Sequence, residues 1–146
     1  KLAIEGAKKQ NSMTTGFAPL RRGTLLIPSG PVKHLHFVCS DVHFSPHKNG
    51  EKVLLVNISS VDPDLYVDST CILQPSDHPF IRHESFVYYK HAELYSPDRI
   101  TDEVLKGNYD VHQPCTDELM QRILDGFAGS REIKRYVQRF YETYCR

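Results

Sequence analysis

The hydrophobic pattern of this chain changes period once, near residue 95, and that change limits the folds open to it. Up to Leu94 the apolar residues come in short runs or alternate, which is the spacing of strands. After Ser96 they recur at steps of three and four, which is the spacing of helices. Strands first and helices last argue for an α+β domain and against a doubly wound sheet.

Five strands are expected. Gly23–Pro28 is a short apolar run closed by the turn signal Pro28-Ser29-Gly30-Pro31. His34–Ser40 alternates, with Leu35, Phe37 and Cys39 on one face and His34, His36 and Val38 on the other. Asp41–Lys52 is polar, holds Pro46 and Asn49-Gly50, and suits a loop or a wide hairpin connection. Val53–Ser59 is the clearest strand, with Leu54, Val56 and Ile58 on its core face. Thr70–Leu73 is short. Ser85–Leu94, β-branched and aromatic at its start, is expected as the last long strand. Short strands with tight Pro/Gly turns close best as a small barrel or a strongly bent sheet, since closure removes exposed edges.

Three helices follow. Ile100–Lys106 opens after Ser96-Pro97 and ends at Gly107-Asn108. Thr116 is the expected N-cap of the next, with Asp117 and Glu118 in the first turn, a stripe of Leu119, Met120, Ile123, Leu124 and Phe127, and Gly126 as C-cap. Ser130 is the expected cap of a last helix whose stripe is Ile133, Tyr136, Val137, Phe140, Tyr141 and Tyr144. Its polar face carries Arg131, Lys134, Arg135 and Arg139, the ordinary composition of a solvated face.

Composition excludes several classes. The 18 basic and 18 acidic side chains cancel, so any nucleic-acid binding must use a local patch, to which the eight histidines add below neutral pH. Cys39, Cys71, Cys115 and Cys145 form no C-x-x-C pair, which leaves zinc ribbons and thioredoxin-like motifs without support. Two disulfides are conceivable, but reduced thiols fit the absence of a secretory segment. No apolar run approaches a membrane span. Walker, G-x-S-x-G and G-x-G-x-x-G motifs are absent. The expectation is a cytoplasmic, bacterial protein without a cofactor. Residues 1–12 are polar and unpatterned, and Met13 follows, so they are expected as a leader or a flexible arm.

One polar stretch concentrates groups that move protons and hold phosphate: Asp77-His78-Pro79-Phe80-Ile81-Arg82-His83. Histidine titrates near neutrality, and the Arg fork matches phosphate oxygens. In one reading His78 or His83 is an acid or base and Arg82 a phosphate clamp. In the other the segment is a turn in which Asp77 caps local amides and the histidines bond to backbone. Lys33, His34 and His36 form a second cluster, read either as part of the same site or as a solvated strand edge. Tyr88, Tyr89 and Lys90 could stack a base and hold a phosphate, with only one of the two tyrosines on the binding face. His43 and His47 have an H-x-x-x-H spacing, but Ser45 and Pro46 oppose the helix such a zinc pair needs.

The order of elements resembles the MazF/PemK/Kid toxin group over roughly Arg22 to Lys106. The resemblance rests on Arg22-Gly23 opening a strand, a Pro/Gly turn, a strand ending in Cys39-Ser40, the run Val53-Leu54-Leu55-Val56-Asn57-Ile58-Ser59, and a strand near Tyr88 before a helix. It implies one SH3-like, PemK-like barrel over residues 13–146, with a helical extension over about 115–146. It implies metal-independent cleavage of single-stranded RNA, an antitoxin peptide as partner and a homodimer. Ser59 or Ser60 matches the hydroxyl residue that ends the group's third strand. The group's first loop carries a catalytic Arg, whereas this loop, Ser29–His34, has none, so Lys33 or His34 would stand in for it. The expected catalytic set is therefore His78, His83, Arg82 and Ser59, with Lys33, His34, Tyr88 and Lys90 binding RNA. Because CcdB shares the barrel without nuclease action, a non-catalytic barrel that binds a protein or nucleic-acid partner is the alternative.

Overall fold

The computed structural model describes residues 17–146. The expected leader, residues 1–12, and Met13 lie outside the described residues. In chain order the elements are β1 (Thr24–Ser29), β2 (Val32–Val38), β3 (His43–Ser45), β4 (Gly50–Ser60), β5 (Ile72–Leu73), β6 (Ser85–Val87), β7 (Glu93–Tyr95), α1 (Pro97–Leu105), β8 (Asp110–His112), α2 (Asp117–Gly129) and α3 (Arg135–Tyr144). The architecture is α+β, with an antiparallel eight-stranded sheet.

β4 organises the sheet because it is long and apolar on both sides. Along its length it pairs with β3 at Gly50–Lys52, β7 at Val53–Leu55, β2 at Leu55–Asn57 and β6 at Ile58–Ser60. Leu54, Val56 and Ile58 enter the main core beneath α2 and α3. Val53 and Leu55 enter a second cluster with Leu25, Ile27 and Val38, covered by Ile100 and Val104 of α1. The alternation expected for β2 and β4 holds; β4 is buried on both faces over Val53–Ile58, with helices on each side, whereas the His34 and His36 face of β2 is only partly buried.

β1 and β2 form a tight hairpin from Thr24↔Phe37 to Ser29↔Val32. Only Gly30 and Pro31 lie between the paired ends. Gly30 has φ +62°, a value open to glycine, and Pro31 holds the second position in the negative-φ range, as a II′ turn requires. The polar stretch Asp41–Lys52 is the wide hairpin connection, β3 pairing back onto the start of β4.

The sheet is open: its path runs β5-β6-β4-β2-β1-β8, and no ladder joins β5 to β8 among the described residues. Side chains span that gap instead. Three expectations about single elements are corrected. Ser85–Leu94 is not one strand. The Tyr89–His91 turn of 3-10 helix interrupts it, and the two halves pair with different parts of β4. The cause is Tyr89, which drives its ring into the core and donates from its hydroxyl to the Ile123 carbonyl at 2.7 Å.

Gly126 is not a C-cap but lies inside α2, where a Cβ would sit 1.8 Å from the Tyr89 hydroxyl. Its lack of a side chain makes room for that ring. Ser130 caps the end of α2, not the start of α3, and its hydroxyl donates to Asp68 at 2.9 Å. Thr116 caps α2 as expected, accepting from the Leu119 amide at 3.1 Å. β8 carries no pattern of its own and forms by pairing with β1.

Candidate functional site

The site arises where a ladder stops. β2 and β4 pair only from His36↔Asn57 to Val38↔Leu55. Beyond Asn57, β4 turns its pairing to β6, while the first half of β2 stays with β1. The two strands splay, and the loop after the Pro75–Asp77 turn fills the mouth. The resulting cleft has a volume of about 480 Å³. Its walls bring together Lys33 and His34 of β2, Ser59 and Ser60 of β4, and Arg82 and His83 of the loop.

Phe80 and Ile81 anchor that loop. Ile81 is buried and Phe80 packs on the main core, so Arg82 and His83 project outward and are exposed. Neither makes a side-chain hydrogen bond or ion pair among the described residues. Lys33 is held by Asp110 of β8 at 2.6 Å.

The first part of the polar stretch behaves otherwise. Asp77 accepts from the Gln74 amide at 2.7 Å and from Arg122 of α2 at 2.7 Å. Arg122 also donates to the Ile72 carbonyl at 3.0 Å. His78 is buried, 2% exposed, and both ring nitrogens are used. Nδ1 accepts from the Phe80 amide at 3.1 Å, which leaves the proton on Nε2 to donate to the Gln113 carbonyl at 2.7 Å. Burial pushes its pKa down and the Gln113 carbonyl opposes that shift. The expectation of His78 as acid or base is therefore corrected: the ring is a neutral strut across the open side of the sheet. Thr24 donates to the same carbonyl at 2.7 Å.

A second hollow of about 340 Å³ adjoins the cleft and shares His34 and Ser59 with it. His36, Asn57, Tyr88, His91 and Tyr95 line it. The 3-10 turn brings Tyr88 and His91, three residues apart, into a parallel stack at 3.9 Å. Tyr66 lies 5.3 Å from Tyr88, and Lys90 sits over the Tyr66 ring at 5.4 Å. Of the two neighbouring tyrosines, Tyr88 faces this surface and Tyr89 the core. Burial lowers the pKa of His36 to about 4, helped by the nearby His34 and His91. Burial also lowers that of His91, with Lys134 and Lys90 adding to it. No Asp or Glu lines either hollow among the described residues.

His91 and Asn57 were not among the candidates the pattern marks, and of the two readings of His36 the structure gives the half-buried wall of a hollow and not a solvated edge. Strict alternation puts Tyr88 and His91 on opposite faces. Only the i, i+3 spacing of a 3-10 turn unites them.

His43 and His47 stand elsewhere, against α3. His43 stacks on Tyr144 at 4.2 Å and His47 on Tyr136 at 4.3 Å. Among the described residues no group of three or more His, Cys, Asp or Glu could hold a metal ion. The four cysteines are unpaired; burial pushes Cys115 up to about 11 and Cys145 up to about 12, so neither supplies a thiolate near neutrality.

The fold and site together define an α+β protein with a cationic, histidine-bearing cleft at a strand splay. No protein-family model, curated protein or solved structure matches the chain. No helix among the described residues is long and apolar enough to cross a membrane.

Proposed function

We propose that this protein is a metal-independent endoribonuclease acting on single-stranded RNA, in the manner of the MazF/PemK/Kid toxins. One observation carries the reading: three separate segments deliver Lys33, His34, Ser59, Arg82 and His83 to one cleft. Cleavage needs a base to take the 2′-hydroxyl proton, an acid to protonate the leaving 5′ oxygen, and a cation beside the charged phosphorane. His34 and His83 form the proton-transfer pair. As the 2′ oxygen bonds to phosphorus, the P–O5′ bond breaks, leaving a cyclic phosphate and a 5′ hydroxyl. Arg82 clamps the phosphate oxygens and Lys33 adds charge. Ser59 donates a hydrogen bond to the same phosphate. Tyr88 and Lys90 engage the neighbouring part of the strand.

The finer fold reading that accompanies this is an SH3-like barrel, here splayed open beside β5 and β8. An antitoxin peptide as inhibitor and a two-fold dimer belong to the same reading, as does a cytoplasmic location.

A non-catalytic partner-binding role is the second reading. It is favoured by the absence, among the described residues, of any side-chain partner that orients His34, Arg82 or His83. One experiment separates the two. Purified protein is incubated with single-stranded RNA in EDTA beside His34→Ala and His83→Ala variants. The nuclease reading expects cleavage by the wild type and a loss of about 10²–10⁴-fold in each variant. No cleavage by the wild type, or undiminished cleavage by both variants, overturns it and leaves the binding role.

A further inference from the structure

We infer that the hollow beside the cleft is a nucleobase subsite, in which the Asn57 amide and the His36 ring read the hydrogen-bonding edge of a base carrying an exocyclic amino group. The inference rests on the RNA reading above and names what that site selects.

Asn57 is the central observation. It is 8% exposed, sits at the last rung of the β2–β4 ladder, and lines the hollow. Its main-chain carbonyl is occupied by the Tyr88 amide at 2.8 Å. Its side-chain amide has no hydrogen-bond partner among the described residues. Yet no fully enclosed side-chain nitrogen or oxygen lacks a partner, so the amide opens onto the hollow and is not sealed in the core. A polar group in such a position loses free energy unless water or a ligand satisfies it. The amide offers one acceptor and two donor hydrogens, the set with which Asn pairs two-fold with adenine.

His36 stands on the adjacent strand, directly opposite Asn57 in the register. Its Nδ1 lies 3.0 Å from the His34 carbonyl. A carbonyl can only accept, so Nδ1 carries the proton. Burial keeps the ring neutral at physiological pH, which leaves Nε2 as a bare acceptor. An acceptor beside a donor–acceptor amide suits a base that presents an amino group. The amino-bearing bases are thereby favoured over uracil.

The stacked Tyr88 and His91 rings supply the flat surface that a base needs, and aromatic stacking tolerates any base. The hollow meets the cleft at His34 and Ser59. A nucleotide whose base enters the hollow therefore carries its phosphate toward Lys33 and Arg82. Selectivity comes from Asn57 and His36, and general affinity from the stack and the cations.

The test titrates adenosine, cytidine and uridine 5′-monophosphates into the whole chain in EDTA, followed by NMR shifts of the histidine rings. The wild type is expected to bind the adenine and cytosine nucleotides about tenfold tighter than the uracil one, the scale of one good paired contact. Asn57→Ala is expected to erase that preference. His91→Ala, at an exposed position, is expected to weaken all three alike. Equal affinity for the three nucleotides in the wild type, absence of binding, or an intact preference in Asn57→Ala overturns the subsite. Where Asn57→Ala fails to fold, the wild-type preference and the uniform loss in His91→Ala decide. Cleavage of RNA is a separate readout. A wild type that cleaves without base preference overturns the subsite and spares the nuclease. Base preference without cleavage does the reverse.

Discussion

His78 and Gln113 hold the two ends of the sheet path together: the imidazole donates to the Gln113 carbonyl at 2.7 Å across 35 positions of sequence. The ring also accepts the Phe80 amide, so it sets both the edge of the sheet and the loop that carries Arg82 and His83. His78→Ala removes a buried ring and strands the Phe80 amide. A loss of about 2–3 kcal/mol is expected in chemical denaturation. RNA cleavage per folded molecule should fall far less than in His83→Ala. A variant of unchanged stability and abolished cleavage would return His78 to the chemistry.

Tyr89 and Gly126 define a second coupling. Alanine is intrinsically about 1 kcal/mol better than glycine in a helix. Here its Cβ would collide with the Tyr89 hydroxyl and break the bond to Ile123. Gly126→Ala is therefore expected to destabilise by about 1–3 kcal/mol, against its propensity. Tyr89→Phe should recover part of that loss in the double variant, because it removes the nearest atom. A double-mutant cycle by urea denaturation measures the coupling, and strict additivity would refute the contact.

Stability should fall with acid, and the sign follows from His36. In the folded chain its pKa is about 4, against an ordinary 6.5. Between those values the unfolded chain takes a proton that the folded chain refuses, so stability falls as pH drops through that window and is complete above it. The magnitude is about 3 kcal/mol. His78 and His91, both lowered mainly by burial, act in the same direction. Denaturation midpoints at pH 7.5 and pH 5 in the wild type and His36→Gln check this, the variant being expected to show the weaker pH dependence.

Lys33 is partly neutralised by Asp110, and both side chains are about half exposed. Such a surface pair contributes about 0–1 kcal/mol to stability. Asp110→Asn should therefore leave the unfolding midpoint nearly unchanged, while single-stranded RNA binds several-fold tighter at low salt. Arg82→Ala should weaken binding and reduce the salt dependence by about one counterion. Fluorescence anisotropy with a labelled oligonucleotide over a salt series reads both effects.

Local pattern was enough for the elements whose neighbours in sequence settle their state. Val53–Ser59, the Gly30-Pro31 turn, the Thr116 cap and the stripe from Leu119 to Phe127 are of this kind, since burial periodicity and capping act over a few residues. The strand break at Tyr89–His91, the strand Asp110–His112 and the place of Gly126 were not legible there. Each is set by a partner far along the chain: Ile123 for Tyr89, β1 for β8, and Tyr89 for Gly126.

The candidate site divides along the same line. Ser59 entered through the resemblance in element order; residue type alone marked Arg82, His83, Lys33 and His34 as groups able to handle a phosphate, because charge and hydrogen-bonding capacity belong to the side chain. It could not separate His78 from His83, five positions apart. That choice was made by burial and by one distant carbonyl, which turned the first histidine into a strut and left the second on the surface. The α+β order, the core stripes and the supply of reactive groups are properties of short stretches of chain and were legible in the residues. The tertiary structure decided which of those groups meet, because the splay of β2 from β4 depends on where each ladder ends.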